Sequence, residues 1–363
     1  MSKLFSTFVL KNLVIKNRLM RSATTSYWSD EEGILRDCII DYYEKLAKGS
    51  VGIIIKGHSY VLESGKAHTG QSGLSDEKHL PKMTKLTKTV HSYDVPIIAQ
   101  INHGGYTSKA DRMSASEYVA QNWKAREATL DDIELVIESF AKSAELAIHS
   151  GFDGIQIHSA HGYLNSQFLS DNVNKRVDKF GGILENRARL LIEIFEAVKK
   201  KIGNKPIIAV KLNCDDFAPQ GGFKIEDSIQ VSNWLFEKGI DLIEISGGGP
   251  KQDSAIRKVR GKSKKESGYF EANFAGHVEK IRNSIPKIPL AIVDGIRSHS
   301  TMDNILEVNI ADFISMSKPF IIEPNLAYLL KNGQKESSCI DCRECLSPER
   351  FGKRMLSCAQ IDP

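Results

Sequence analysis

Long apolar runs are missing from this chain of 363 residues. Nothing approaches the roughly 18 consecutive apolar residues of a membrane span, and Met1-Ser-Lys-Leu-Phe-Ser-Thr-Phe8 lacks the apolar stretch of a secretory signal. A cytosolic protein without a membrane partner is expected. Charge of one sign is also scarce. The 49 Lys and Arg stand against 45 Asp and Glu, a net charge of +4, and no nucleic-acid-binding motif accompanies it. Nucleic acid is therefore not an expected partner. No GxGxxG opens the first strand–helix unit and no internal repeat is visible, which argues against an open dinucleotide-binding sheet and a solenoid. Cysteine is sparse, with six in the chain, so a disulfide scaffold is not expected outside a secretory context. Their placement is uneven: Cys38 and Cys214 stand alone, whereas Cys339, Cys342, Cys345 and Cys358 gather near the end.

What the chain has is an alternation of short β-like apolar runs and amphipathic helical patterns. The runs are Arg18–Ala23, Val51–Ile55, Pro96–Ile101, Asp153–Ile157, Pro206–Leu212, Asp241–Ile245, Pro289–Val293 and Asp312–Met316. Helical patterns follow each, among them Asp37–Lys48, Glu77–Tyr93, Asp131–Ser150, Leu184–Lys201, Ile225–Lys238 and Phe270–Asn283. Two shorter ones, Ser298–Glu307 and Pro324–Lys331, follow the last two runs. Eight such units favour an α/β fold of the (β/α)8 TIM-barrel type over an open doubly wound sheet. The expected barrel covers residues 1–331, and a short Cys-bearing C-terminal tail covers 332–363. Two insertions, Asn102–Ala128 and Ser246–Tyr269, are expected over the face where barrels hold their ligands.

On that face the most telling segment is His158-Ser-Ala-His161-Gly-Tyr163, directly after the fourth apolar run. Two imidazoles and a phenol can hold an electronegative substrate atom and supply a proton, which is general acid catalysis in outline. Polar, small or basic groups follow the other runs: Thr24 and Thr25, Gly57 and His58, Gln100, Lys211, Asp294-Gly295-Ile-Arg297, and Ser317-Lys318. The last two loops of a barrel commonly bind phosphate through backbone N–H groups and a helix N-terminus. Gly295 permits close backbone approach there, and Arg297 or Lys318 can supply charge. A planar, hydrogen-bonding ring with a phosphate tail suits this set, and flavin mononucleotide (FMN) is the candidate.

With these residues in view the chain resembles the Old Yellow Enzyme family of FMN-dependent NAD(P)H oxidoreductases, from Leu4 to about Leu330. The markers are Lys16-Asn17-Arg18, Ser22-Ala23-Thr24-Thr25, Gln100-Ile-Asn-His103-Gly-Gly, the His158–Tyr163 segment, and Asn174-Lys-Arg176-Val-Asp178-Lys-Phe-Gly181-Gly182-Ile-Leu-Glu185-Asn186-Arg187. The stretch from Asp312 to Pro319 completes them. The resemblance implies that Gln100 bonds the flavin pyrimidine edge and Thr25 lies on the N5 side. It places Lys211 where a basic residue, usually Arg, stands beside N1 and the C2 carbonyl. Ser22, Ala23, Gly57 and His58 match positions lining the cofactor, and Asp294, Gly295, Ser317 and Lys318 match the phosphate loops, where many relatives carry Gly-Arg instead of the last pair. His158 and His161 resemble the pair that grips an enone carbonyl, and Tyr163 the tyrosine that protonates the neighbouring carbon. The implied activity is ene-reduction, with NADH or NADPH as reductant and a small enone-type molecule as substrate.

Blander readings stand beside these. His103 is expected to shape a loop, and Arg176, Asp178 and Arg187 to form structural ion pairs. The basic run Arg257–Lys265 reads as solvated surface, or as a trap for an anionic ligand. Tyr27, Trp28 and Tyr60 serve as pocket walls or as core packing. Cys339, Cys342, Cys345 and Cys358 form a C-x2-C-x2-C-x12-C array that resembles the [4Fe–4S] motif of the trimethylamine dehydrogenase and 2,4-dienoyl-CoA reductase branch. Zinc and a metal-free tail are the alternatives. Loss of a metal there is expected to loosen the tail and leave the flavin bound. Two other functions compete: an iron–sulfur flavoprotein dehydrogenase that hands electrons to a partner, and a phosphate-binding barrel lyase or aldolase with Lys211 as Schiff-base amine. The physiological substrate, the choice of NADH or NADPH, and whether the chain forms a homo-oligomer are left open.

Overall fold

The computed structural model describes residues 2–249, 270–347, 349–350 and 353–362. The basic run Arg257–Lys265 and most of the second insertion lie outside them. A strand begins within every expected apolar run: β1 Leu19–Arg21, β2 Ile53–Tyr60, β3 Ile97–Asn102, β4 Gly154–Ser159, β5 Ile207–Asn213, β6 Leu242–Ser246, β7 Leu290–Val293 and β8 Phe313–Met316. Each pairs in parallel with its neighbour in sequence, and β8 returns to β1 with Ile314 opposite Leu19, which closes the sheet. The result is a (β/α)8 barrel.

Helices α1 Asp37–Lys48, α2 Leu80–His91 and α3 Leu130–His149 surround the first strands. A short α4 Leu164–Leu169 and the long α5 Leu184–Ile202 follow β4. The ring continues with α6 Ile225–Glu237, α7 Ala275–Ser284, α8 His299–Glu307, α9 Lys318–Ile322 and α10 Leu326–Lys331. The start of α3 shows why the sequence folds there: Thr129 Oγ1 accepts from Asp132 N at 3.1 Å, and Asp132 Oδ2 accepts from Thr129 N at 2.8 Å. This capping box satisfies donors that the first turn leaves without helical partners. Among the described residues no helix is long and apolar enough to cross a membrane.

Strand alternation divides the core in two. Leu19, Ile54, Ile97, Ile155, Ile208, Ile243, Ile292 and Ile314 face the helices. Met20, Ile53, Ile98, Ile207, Leu242, Ala291 and Phe313 pack inside the barrel with Leu10 and Ile15. Those last two belong to an N-terminal hairpin, Phe8–Leu10 against Leu13–Ile15, which plugs the barrel at the foot of its strands.

Strand β2 departs most from the sequence reading, running well past the expected Ile55. Its register shifts between Lys56 and Ser59, so Gly57 and His58 form a bulge inside the strand instead of a loop beyond it. Lys56 marks the break in the apolar run, yet it is buried, with Nζ 2.7 Å from Ser59 Oγ. Gly57 is required by close approach, because a Cβ there would lie 2.2 Å from the Thr24 carbonyl oxygen. The first insertion folds into three short strands, Met113–Ser114, Lys124–Glu127 and Tyr118–Val119, capped by the aromatic group Tyr106, Tyr118 and Trp123.

Candidate active site

Above the apolar filling, the barrel interior turns polar. Gln100 Nε2 donates to Gln156 Oε1 at 2.7 Å, and Gln156 Nε2 donates to Glu244 Oε2 at 2.9 Å. The other carboxylate oxygen of Glu244 accepts from Ser22 Oγ at 2.7 Å and Ser315 Oγ at 2.6 Å, and lies 3.1 Å from Lys211 Nζ. Register puts Gln156 opposite Gln100, and Lys211 opposite both His158 and Glu244, so one layer joins five strands and the turn after β1. Glu244 is fully buried, and burial, the largest influence, pushes its carboxyl up. Lys211, then Ser315, Ser22 and Gln156, outweigh that push and hold it below the usual range. A buried ion pair is tolerable where the remaining lone pairs are also met, as here.

The trio follows at the end of β4. His158 belongs to the strand, while His161 (φ 61°) and Gly162 (φ 78°) make a left-handed turn that swings Tyr163 back over the barrel. The ring of Tyr163 lies 4.9 Å from that of His158 and 5.2 Å from that of His58, and the two trio imidazoles are edge to face at 5.2 Å. Ser246 Oγ sits 2.7 Å from His161 Nε2. Burial, with His161 and Lys211 adding to it, drives the His158 pKa well below that of a free imidazole, so the ring is neutral at neutral pH. Its Nδ1 is buried and has no hydrogen-bond partner among the described residues. Burial also raises the Tyr163 phenol to about 12, which keeps its proton in place across the physiological range.

Beside the trio lies a cavity of about 190 Å³. Ser22, Ala23, His161 and Lys211 line its inner wall, and Asp294, Gly295, Ser317 and Lys318 its far end. Arg297 joins them there, almost fully buried. Thr25, Gly57 and His58 are not brought into this cavity. They border a separate recess of about 10 Å³ with Lys56 and Tyr43, whose hydroxyl accepts from Gly57 N at 2.8 Å. Gln100 lies in the polar layer and not on the cavity wall. His58 Nε2 is 3.0 Å from His68 Nε2, and Gln71 links this pair to Asn102. His103 shapes its loop, as expected, by accepting from Gly105 N at 3.0 Å.

Arg176 pairs with Asp178 at 2.5 Å and donates to the carbonyls of Ala115 and Ala128, tying the first insertion to the loop after β4. Arg187 holds the same loop from its other side, donating to the carbonyls of Leu169 and Gly182, but its ion pair is with Asp227 at 3.6 Å and not with Asp178.

Glu244, Gln156, His68 and Asp341 are the participants that sequence reasoning missed. Gln156 and Glu244 each interrupt an Ile-x-Ile run, and an isolated polar residue at an inward position was the available signal. Asp341 stands between the first two cysteines of the tail, 2.6 Å from Lys318 Nζ and 3.1 Å from Arg297 Nη2. Ser337 N donates to Arg297 O at 3.0 Å, Leu346 lines the cavity, and Leu356 N donates to Ser26 O at 3.0 Å. The tail is thus fastened to the side of the cavity lined by Arg297 and Lys318. All four tail cysteines are free thiols, and among the described residues no three His, Cys, Asp or Glu side chains are grouped to hold a metal ion.

The sequence profile of the NADH:flavin oxidoreductase / NADH oxidase family matches residues 3–337. An NADH oxidase of Thermoanaerobacter brockii is 31% identical over 98% of this chain and 55% of its own length. Among solved structures, a 2-naphthoyl-CoA reductase superposes with a TM-score of 0.90 at 25% identity, over 98% of this chain and 56% of that one. An old yellow enzyme homologue from Zymomonas mobilis superposes with a TM-score of 0.77 over 97% of this chain and 99% of that one; at 24% identity it speaks for the fold alone. The chain spans little more than half the length of the first two.

Proposed function

The chain belongs to the NADH:flavin oxidoreductase / NADH oxidase family, and from that premise we propose that it is a cytosolic, FMN-dependent NAD(P)H oxidoreductase that reduces electron-poor alkenes such as α,β-unsaturated carbonyls. The observation that carries the reading is the His158, His161 and Tyr163 cluster, of which His161 lines a cavity together with Lys211, Arg297 and Lys318. FMN fits these residues. The cavity offers the basic side chains of Lys211, Arg297 and Lys318 and the open backbone of Gly295 (φ 72°) for a phosphate. When bound, the flavin supplies hydride transfer, from the nicotinamide and on to the alkene.

The chain's own residues do the rest. Ser22, Ala23, Asp294, Gly295, Ser317 and Lys318 would hold the cofactor, with Thr25, Gly57 and His58 on its other flank and Gln100 in the layer beneath. Lys211 would place positive charge beside the ring, and Glu244, 3.1 Å away, fixes that ammonium and moderates its charge. His158 and His161 hold the carbonyl oxygen as N–H donors, polarising the alkene. Tyr163 carries the proton destined for the carbon next to the carbonyl, and burial keeps that proton on the phenol until it is needed. Anaerobic mixing with NADH or NADPH and a cyclic enone tests the reading. The saturated ketone should form in step with nicotinamide oxidation, and nicotinamide oxidation that leaves the enone intact contradicts it.

The terminal cysteines support a second reading, an iron–sulfur flavoprotein dehydrogenase. The Cys345 thiol is raised to about 11, first by burial, against which Lys318 acts, and then by Cys339, Cys358 and Cys342. The four thiols are not grouped as a metal-ligand set among the described residues, and no electron path is drawn through them. Iron and acid-labile sulfide in step with flavin, in protein purified without oxygen, would support this second reading; zinc alone or no metal removes it.

A further inference from the structure

The cations assigned to the cofactor phosphate already face carboxylates. Asp341, only 2% exposed, lies 2.6 Å from Lys318 Nζ and 3.1 Å from Arg297 Nη2, and Asp294 adds a second carboxylate 3.7 Å from Lys318. Among the described residues, both of these cations, which line the cavity, therefore already face a carboxylate where a phosphate monoester would bind, and Asp341 meets a third cation, Arg343, at 3.8 Å on its other oxygen. Asp341 does not come from the barrel. It sits in the turn between Cys339 and Cys342, and the Ser337 bond to Arg297 and the bridge between Ser298 and Glu336 fasten that segment to the loop after β7.

We infer that Asp341 is an internal competitor for the cofactor phosphate. The inference rests on the flavin reading of the cavity given above. With no anion in the cavity, Asp341 holds the buried Arg297 and the partly buried Lys318 and offsets their charge. A phosphate entering the cavity repels the Asp341 carboxylate and takes over the same donors, since charge-assisted bonds to a dianion are at least as strong as those to a carboxylate. The cysteine segment thereby sets cofactor affinity from outside the barrel, and any change that moves Cys339 or Cys342 moves Asp341 with it.

The test compares FMN with riboflavin, which has the same ring and no phosphate, by titrating each into flavin-free protein and following the quenching of flavin fluorescence. Asp341→Asn should bind FMN roughly tenfold tighter or more, because a like charge beside the phosphate is gone, while riboflavin affinity stays the same. Unchanged or weaker FMN binding by the variant overturns the inference. Wild-type protein that binds neither flavin overturns the cofactor reading itself. Should the variant fail to fold, amide exchange in the wild-type chain decides: residues 337–346 should exchange faster with FMN bound than with riboflavin bound. Equal or slower exchange overturns the inference.

Discussion

Tyr163 is the residue on which the chemical reading turns, and its environment states what it can do. Its phenol is raised to about 12 by burial, so it is a donor and not a base at neutral pH. Tyr163→Phe is expected to retain flavin and its reduction by NAD(P)H, and to slow the alkene half-reaction by about 10²–10⁴-fold, the usual worth of general acid help. Rapid-mixing measurement of the two half-reactions separates them, and equal slowing of both removes Tyr163 from the proton-donor role. His103 offers a residue-scale test of stability. Burial lowers its pKa to about 4, below the ordinary value of about 6.5 for an unfolded chain. Between those values the unfolded state takes up the proton and the folded state does not. The stability His103 contributes is therefore complete above pH 6.5 and is lost as the pH falls toward 4, at about 1.4 kcal/mol per pH unit. Asn at this position retains an acceptor for the Gly105 amide but does not titrate. Urea unfolding at pH 7 and pH 5 should show the wild type losing more stability than His103→Asn, and equal losses would contradict the assigned shift.

At the scale of elements, the polar layer across the barrel is one unit spread over β3, β4, β5, β6 and β8. Removing the Glu244 carboxylate leaves Lys211 buried without its partner, which commonly costs about 3–5 kcal/mol. Glu244→Leu should show a loss of that size in urea unfolding, and Glu244→Gln, which retains acceptors for the serines, a smaller one. A Leu variant as stable as wild type would show that the layer is not a coupled network. The same layer marks the limit of what was legible in the chain. The strands could be read because each carries an apolar run of strand length, and α1 matched residue for residue because its amphipathic stripe runs unbroken from Asp37 to Lys48. Strand β2 was read short because Lys56 breaks its apolar run, and only the tertiary structure shows that ammonium turned toward Ser59. His158, His161 and Tyr163 were legible because they crowd into six residues after a strand. Gln156 and Glu244 each stand alone between isoleucines, and their meaning lies in partners on other strands. Asp341 carried no signal of its own, since Arg297 and Lys318 come to it only through the fold of the tail.

The whole molecule is a barrel plugged at the foot by its N-terminal hairpin and closed at the phosphate end by its C-terminal cysteine segment. That arrangement leaves the end of β4 and the cavity beside it as the place where we propose that a cofactor and a substrate meet. Asp341 of the tail touches both cations assigned to the phosphate, so a loosened tail is expected to leave the flavin bound and to alter its affinity. The central claim, that this barrel is a flavin reductase of electron-poor alkenes, is tested most directly by the visible absorption of the purified protein through one anaerobic cycle. A bound flavin spectrum should be present at the outset, bleach on addition of NADH or NADPH, and return when an enone is added. Colourless protein that takes up no FMN, or a bleached spectrum that an enone leaves unchanged, would contradict it.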